Sequence, residues 1–476
     1  MYENAMLSFA SVIIGAAVDV KSGAKKMGWF RPKSDSAVKY KQLELSKVTD
    51  PDKLIEIQKV DEQPISIADK VTSFDYFESV YSPTVTANIG HIDTGNSVVN
   101  QKTGLLGTLK DALPLTGLEK VSFVINTPFG ELNFKNRNSP LVVTGSPGTI
   151  ESGNQQATII PLVSSEEFAS TTTPIKNYYR GRIDEIVDQL LTQIGIPDSH
   201  KFIEPTQNNE QVNGRSRSSN DIILSLCKKS IPVDGDPGYF FYQTQDGFHF
   251  KSIDSLIEEG STRLRTDKNY KDTHTYSYFP GALNEGPDAN DFKILAPPNV
   301  IKDQNVLDSL KNGTYLVRFV TANPVNYEFK EEVENLLSKK NLGAKQESIL
   351  SGNRQESYSR TYTDVLDSGS SDPGVSKVEL NNPMRWEAQS NMRYNLLHAQ
   401  LVEIQVPCNV HLRAGEVIRC ELENITASDK VMGIYNEHRS GNYIILHLCH
   451  HFDPTNSYTS LTLARDTYGL YTNAYS

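Results

Sequence analysis

The sequence predicts a mainly β chain interrupted by one α+β insertion, and three patterns predict it. Short segments alternate apolar and polar residues: in Thr84 to Ile89, Val85, Ala87 and Ile89 share one side, which is the period of a half-buried strand. Farther on, Ile183, Ile186, Val187, Leu190, Leu191 and Ile194 recur at the spacing of one helix face. Between those regimes, Tyr239-Phe240-Phe241-Tyr242 and Phe248-His249-Phe250 flank Asp246-Gly247, a pairing that marks a hairpin.

The first 50 residues read as an arm. They lack period-2 alternation, and Gly28-Trp29-Phe30-Arg31-Pro32 breaks any helix. Their one apolar stretch, Ala5 to Val18, is interrupted by Ser8, Ser11 and Gly15, and a bilayer span needs about 20 apolar residues. Glu3 precedes it and no Lys or Arg does, so the basic start of a signal peptide is missing. A packed helix or a docking arm is expected there, not a membrane anchor.

Residues 51–176 read as the first β domain. Val121, Phe123 and Ile125 alternate, Thr127-Pro128-Phe129-Gly130 turns the chain, and Leu132 and Phe134 follow. Leu141 to Val143 and Ala157 to Val163 add short strands. Such spacing fits an antiparallel barrel or a sandwich. Residues 177–265 form the α+β insertion. Its first helix ends at Gly195 and Pro197, and a second starts after Ser219-Asn220 and buries Ile222, Ile223, Leu226 and Cys227. The stretch between them, Gln207 to Ser219, reads as a polar loop.

Residues 266–380 return to strands, Thr273 to Phe279 and Tyr315 to Val320, with a short helix expected over Glu331 to Lys340 and a flexible Ser/Gly linker at Ser368 to Gly374. Residues 381–476 open on a helix, Met384 to Leu397. Strands follow at Ala399 to Val406, 410 to 424, Val431 to His438, Tyr443 to Phe452 and Thr459 to Arg465.

Bulk properties narrow the function. The chain has 476 residues and a net charge of −11, from 47 Lys and Arg against 58 Asp and Glu. At roughly 150 residues per domain this is a folded protein of about three domains. Its acidity argues against tight, phosphate-driven binding of nucleic acid. Four cysteines (Cys227, Cys408, Cys420 and Cys449) are too few for a disulfide framework. Tyr (22) and Phe (18) are abundant, and in short strands they supply contact area for extended interfaces.

Chemical candidates are few. His447, Cys449 and His451 point the same way on a strand, a spacing able to hold a metal, with Ile444, Leu446 and Leu448 expected on the opposite, core face. A neighbour or a wet channel meeting that strand would explain the same residues. Cys408 and His411 form a Cys-x-x-His spacing without a second close pair. Asp234-Gly235-Asp236-Pro237-Gly238 resembles the start of a calcium loop, but Gln245 stands where the chelating Glu belongs, so a tight acidic turn is expected. Arg215 and Arg217 form a small basic loop, read either as a partner or phosphate contact or as solvated surface. Gly145-Ser146-Pro147-Gly148 is not a nucleophile elbow. The adjacent carboxylates Glu166-Glu167, Glu258-Glu259 and Glu331-Glu332 do not form an acid/base pair. No catalytic, cofactor-binding or metal-binding residue is predicted, no cofactor is expected, and the chain is read as a non-enzyme.

One resemblance gathers these pieces. Val406-Pro-Cys-Asn-Val-His-Leu-Arg-Ala-Gly415-Glu-Val-Ile-Arg-Cys-Glu-Leu422 is followed by Gly433-Ile-Tyr, Ser440-Gly-Asn-Tyr-Ile, His447 to His451 and Tyr458-Thr-Ser-Leu-Thr-Leu-Ala-Arg-Asp466. This resembles the closing barrel of baseplate hub proteins of contractile-tailed phages, the late control D family, and the hub half of type VI secretion spike proteins. Within it Gly415 permits a turn that a bulky residue would strain, Ser440-Gly441-Asn442 connects a hairpin, and Leu461 and Leu463 face the core while Ser460 and Thr462 face out. The resemblance is clear over about the last 90 residues, and the order of elements upstream agrees with it.

The resemblance implies two tail-tube-like antiparallel β-barrel domains plus a small α+β domain, with strands from 266–380 completing the second barrel. It further implies a homotrimeric ring in the tail baseplate of a virion, assembled in the host cytoplasm. That ring would join a sixfold tail tube protein to a threefold spike protein. Tape measure and baseplate wedge proteins are further expected neighbours, DNA passes without specific binding, and no membrane contact is expected. The interface between copies is expected along Thr84 to Ile89, Val121 to Phe134 and Tyr443 to Phe452. Two rivals share parts of this reading: the hub of a type VI-like or extracellular injection device, and a tail-associated cell-wall or metal-dependent hydrolase.

Overall fold

The computed structural model describes residues 55–58, 65–67, 70–95, 98–99, 104, 106–109, 115–127, 129–134, 140–145, 148–152, 155–234, 236–278, 292–303, 305–314, 316–323, 328–335, 360–365, 383–422, 436, 439–453 and 457–466. The expected arm, the Ser368 to Gly374 linker and the strand at Val431 to His438 fall largely or wholly outside the described residues.

The chain is mainly β, and most strands join one sheet. Its order runs from Asn299–Lys302 through Gln400–Pro407, Ser457–Arg465, Gly441–Phe452, Val71–Ser79, Thr86–Asp93, Gln155–Ser164, Leu141–Val143, Lys120–Thr127 and Ile55–Gln58 to Ile65–Ser66. Val417–Leu422 pairs antiparallel with Gly441–Phe452 and parallel with Thr275–Tyr278. The decisive joint is between strands far apart in sequence: His450 lies opposite Tyr76 and Phe452 opposite Phe74. One apolar core follows from that joint. Phe74 lies 4.6 Å from Phe123, Phe123 stacks on Phe134 at 4.8 Å, and Phe452 closes on Phe74. Val402, Ile404, Val406, Leu461 and Leu463 belong to the same cluster. Each such side chain stabilises the fold by about 1.5–3 kcal/mol on burial.

The alternation read from the sequence is realised at Val85, Ala87 and Ile89 and at Val121, Phe123 and Ile125, all buried. Thr462, expected to face out, is buried as well. Ala464, next along its face, packs in a second cluster with Tyr394 and Leu397 of the Pro383–Leu397 helix and Ile253 and Leu256 of the Ile253–Thr266 helix, so that outward face is covered.

The insertion forms as the periodicity predicts. Helix Ile183–Gln193 buries Ile183, Ile186, Val187, Leu190 and Leu191 against Ile222, Ile223, Leu226 and Cys227 of helix Ser219–Cys227. Ser218 caps the latter by accepting from the Asp221 amide. The hairpin Tyr239–Gln243 and Phe248–Ser252 turns at Thr244 to Gly247. All five residues of Tyr239–Gln243 are buried. Tyr239 and Phe241 enter the insertion core, while Phe240 and Tyr242 enter the cluster against the main sheet. This one strand therefore welds the insertion to the sheet.

Three local expectations are corrected. Residues 328–335 form a strand, not the start of a helix, because they pair with Leu316–Asn323 in full register and Glu331 reaches Arg318 across the pair; a paired edge overrides intrinsic preference. Within the polar loop, Asn209–Asn213 pairs with Tyr178–Arg182, and Val212 is buried beneath it. Residues 268–273, in the region read as strands, form a short helix before the Thr275–Tyr278 strand.

Candidate functional site

Strand Gly441–Phe452 carries the most chemical side chains. Leu448, His450 and Phe452 point into the core, and His447, Cys449 and His451 point away from it. The register shifts between Ile445 and His447. That bulge inserts one residue and puts Ile444 and Leu446 in the cluster under the insertion, while Ile445 joins Leu448 in the main core. The expected common core face of Ile444, Leu446 and Leu448 is thereby divided in two.

The three candidate ligands are separately engaged. His451 Nδ1 lies 2.5 Å from Asp75 Oδ1 and its Nε2 3.6 Å from Asp453 Oδ2. Burial opposes its charge, but these carboxylates outweigh burial and raise its pKa. His447 packs on the Tyr81 ring at 5.5 Å, and burial pushes its pKa down to about 4. Burial raises the Cys449 thiol well above its ordinary value, which disfavours the thiolate that a metal or a nucleophilic role requires. Cys408 lies in the core with its thiol pushed up to about 12 by burial, and His411 sits against Gly130. Among the described residues, no group of three or more His, Cys, Asp or Glu is placed to hold a metal ion.

The other sequence candidates serve local structure. Arg215 and Ser216 adopt left-handed backbone in an exposed loop, and Arg217 is held by its backbone bridge to Ile175. Asp236 is buried and gives its amide to Asp254 Oδ2 at 3.0 Å, so the calcium-like segment is tied to a helix start. Glu167 accepts from Asn220 at 2.7 Å, and Glu259 pairs with Lys251.

Two buried ionic nodes, invisible in the sequence, hold the insertion in place. Glu78 ends the Val71–Ser79 strand and is 2% exposed. Its carboxylate accepts from Tyr76 Oη and the Gln245 amide at 2.8 Å, and from the Ala414 amide at 3.0 Å. Arg413 donates to Gln245 Oε1 at 2.7 Å and to Asp246 Oδ2 at 3.1 Å. Burial raises the Glu78 pKa, and the Arg413 charge offsets only part of that. Thus Gln245, missing as a calcium ligand, instead bridges the hairpin to the sheet. In the second node Arg393 donates to Asp254 Oδ1 through Nε (2.8 Å) and Nη2 (2.6 Å) and approaches Asp466 Oδ2 at 3.1 Å. It joins the Pro383–Leu397 helix, the insertion and the end of the last closing strand.

Gly415 stands beside the first node with φ of +85°. A Cβ there would run into the Tyr242 hydroxyl and lie 2.7 Å from Tyr242 Cζ, and Tyr242 is itself buried. Gly415→Ala is expected to cost roughly 1–3 kcal/mol, measured by urea unfolding. Adding Tyr242→Phe should recover part of that loss, since it removes the hydroxyl that the new methyl meets. A Gly415→Ala protein as stable as the original would refute the restriction.

No family model matches the sequence, and no curated protein matches it. Solved structures to which the chain is similar include phage tail and baseplate proteins and type VI secretion proteins. They include a tail protein from Neisseria meningitidis, at 8% identity over 87% of this chain and 96% of that chain, TM-score 0.49. A second is the 43 kDa tail protein of prophage MuSo2 from Shewanella oneidensis, at 9% identity over 87% and 98% of the two chains, TM-score 0.44. The third is the Escherichia coli c3393 protein, a type VI secretion component described as similar to the T4 tail proteins gp27 and gp5, at 9% identity over 87% and 78%, TM-score 0.40.

Proposed function

We propose that this chain is the structural hub of a contractile-tail baseplate, with its place in the virion tail. Three copies form a ring between a sixfold tail tube and a threefold spike. Each copy gives two barrel-like units to the ring, one from residues 51–176 and one from 266–380 with 381–476. The observation that carries the reading is the joint between Val71–Ser79 and Gly441–Phe452. It makes one continuous sheet from two sequence-distant β segments, the arrangement that two side-by-side tube-like units in one chain require. The motif-bearing strands of residues 400–465 lie together in that sheet, as the hub resemblance implies.

The role is mechanical rather than catalytic: the buried charged groups of the two nodes are spent on fixing the insertion to the sheet. The acidic balance, 47 basic against 58 acidic residues, suits a passage for DNA, because like charge on a wall keeps the polymer from adhering. Light scattering and negative-stain imaging of the full chain, alone and with its spike protein, test the proposal. The expected particle is a closed ring of three copies around a central bore. A stable monomer in the presence of the spike overturns it.

A further inference from the structure

Two of the segments expected to form the interface between copies are paired on both sides among the described residues. Thr86–Asp93 lies between Val71–Ser79 and Gln155–Ser164, and Gly441–Phe452 lies between Val71–Ser79 and Ser457–Arg465. In the third, Val121 to Phe134, Ile55–Gln58 and Leu141–Val143 flank the start of Lys120–Thr127, and Gly130–Asn133 covers its end with its own far side unpaired among the described residues. The ladder hydrogen bonds of the first two are made within one chain.

Two other strands differ. Among the described residues, Gly148–Ser152 pairs only with Gln155–Ser164, and Asn299–Lys302 pairs only with Gln400–Pro407. Each leaves one edge unpaired. Sheet edges are normally blunted by charge, proline or a covering element, yet both of these present isoleucine to solvent: Ile150 is 59% exposed and Ile301 50%. Ile150 lies opposite Ala157, which lies opposite Ile92. Ile92 and Ile159 are also exposed, so an apolar strip borders the first edge. Val300 extends the second. Beside the isoleucines, the first edge carries Glu151 and the second Lys302.

We infer that these two edges pair with each other between copies of this chain. Thr149-Ile150-Glu151 of one copy runs alongside Val300-Ile301-Lys302 of the next, which sets Ile150 against Ile301 and Glu151 against Lys302. The contact joins two different surfaces, so it is heterologous and propagates head to tail until it closes. Edge pairing supplies main-chain hydrogen bonds, and the flanking side chains supply register. The inference rests on the ring reading above and identifies the strands that make the ring.

The test uses the full chain. Ile150→Cys and Ile301→Cys copies are mixed and treated with a short bismaleimide, with the unsubstituted protein alongside to account for native thiols. The mixture should yield a cross-linked pair that neither variant forms alone, and the double variant in one chain should yield a cross-linked closed ring. By mass photometry, Glu151→Lys and Lys302→Glu should each weaken assembly at least tenfold, and the combined swap should restore it. Glu151 is exposed and Lys302 half-buried, and neither lies in the core, so these variants are expected to fold. If the original protein forms a ring but the cysteine pair does not cross-link and the charge reversals leave the mass distribution unchanged, the edge inference falls and the ring reading stands. If the original protein stays single even with its spike, both fall.

Discussion

Arg393→Met is expected to destabilise the protein by about 3–5 kcal/mol, the range found when one partner of a buried ion pair is removed. Arg393 is nearly inaccessible and is the counter-charge of Asp254 and Asp466. Methionine preserves much of the apolar stem that packs near Gly238 but leaves the carboxylates buried together. The loss should be pH-dependent, with a defined sign. Burial already holds the Asp466 carboxyl above its ordinary 3.8, partly offset by Arg393. Without Arg393 its folded-state pKa rises further. The penalty is then fully present above that raised value and fades as the pH falls toward 3.8. Urea unfolding at pH 7 and at pH 5.5, above the range where the buried histidines unfold the chain, measures both effects. Combining Arg393→Met with Asp254→Asn and Asp466→Asn should restore most of the stability at pH 7, because no buried charge is left without a partner. A single variant as stable as the original, or equally impaired at both pH values, would show that the node contributes by packing alone.

The second large effect is acid lability. Burial depresses the pKa of five histidines: His450 to about 3, His249, His398 and His447 to about 4 each, and His91 in the same direction. His450 is the most constrained, stacked on Tyr76 at 6.0 Å with Nδ1 2.8 Å from Thr459 Oγ1. A group whose folded pKa lies below its unfolded value of 6.5 leaves stability intact above 6.5. As the pH drops below that, the unfolded chain takes up protons that the folded chain cannot, and stability is lost down to the folded pKa. At pH 4 this amounts to on the order of 2–3 kcal/mol for each of the first four, enough in sum to unfold a domain of ordinary stability. His451, raised by Asp75 and Asp453, works the other way, since its contribution is present below 6.5 and is lost as the pH rises through its folded value. Thermal melts from pH 7 to pH 4 should show a steep fall, and His450→Phe should reduce its slope by about one proton. A flat profile would mean that water reaches these rings.

Both effects arise where distant segments meet, and that marks the boundary of what the chain reveals by itself. The helix at 183–193 was legible because its stripe is a local period, fixed by the 3.6-residue turn whatever packs on it. The hairpin at 239–252 was legible because Asp246-Gly247 between two aromatic runs signals a reversal irrespective of its surroundings, and the structure places the two reversing residues at Gln245 and Asp246. The Asn209–Asn213 and Glu328–Asn335 strands were illegible because their conformation comes from the neighbour they pair with. Glu78, Arg393 and Arg413 look like ordinary surface charges in the sequence. The separation is 139 residues for Arg393 and Asp254 and 336 for Glu78 and Ala414, beyond any pattern of spacing.

By itself, then, the order of residues determined the β-rich class, the inserted helices, the turn at Gly415 and the likeness of the closing strands to a baseplate hub. The tertiary structure alone decided that Val71–Ser79 lies against Gly441–Phe452, that a bulge divides the face of Ile444, Leu446 and Leu448, and that Gly148–Ser152 and Asn299–Lys302 each leave one edge unpaired among the described residues. The reason is physical. Backbone preference and apolar period act over a few residues, whereas strand partnership and the pairing of buried charge depend on which surfaces the whole chain brings together.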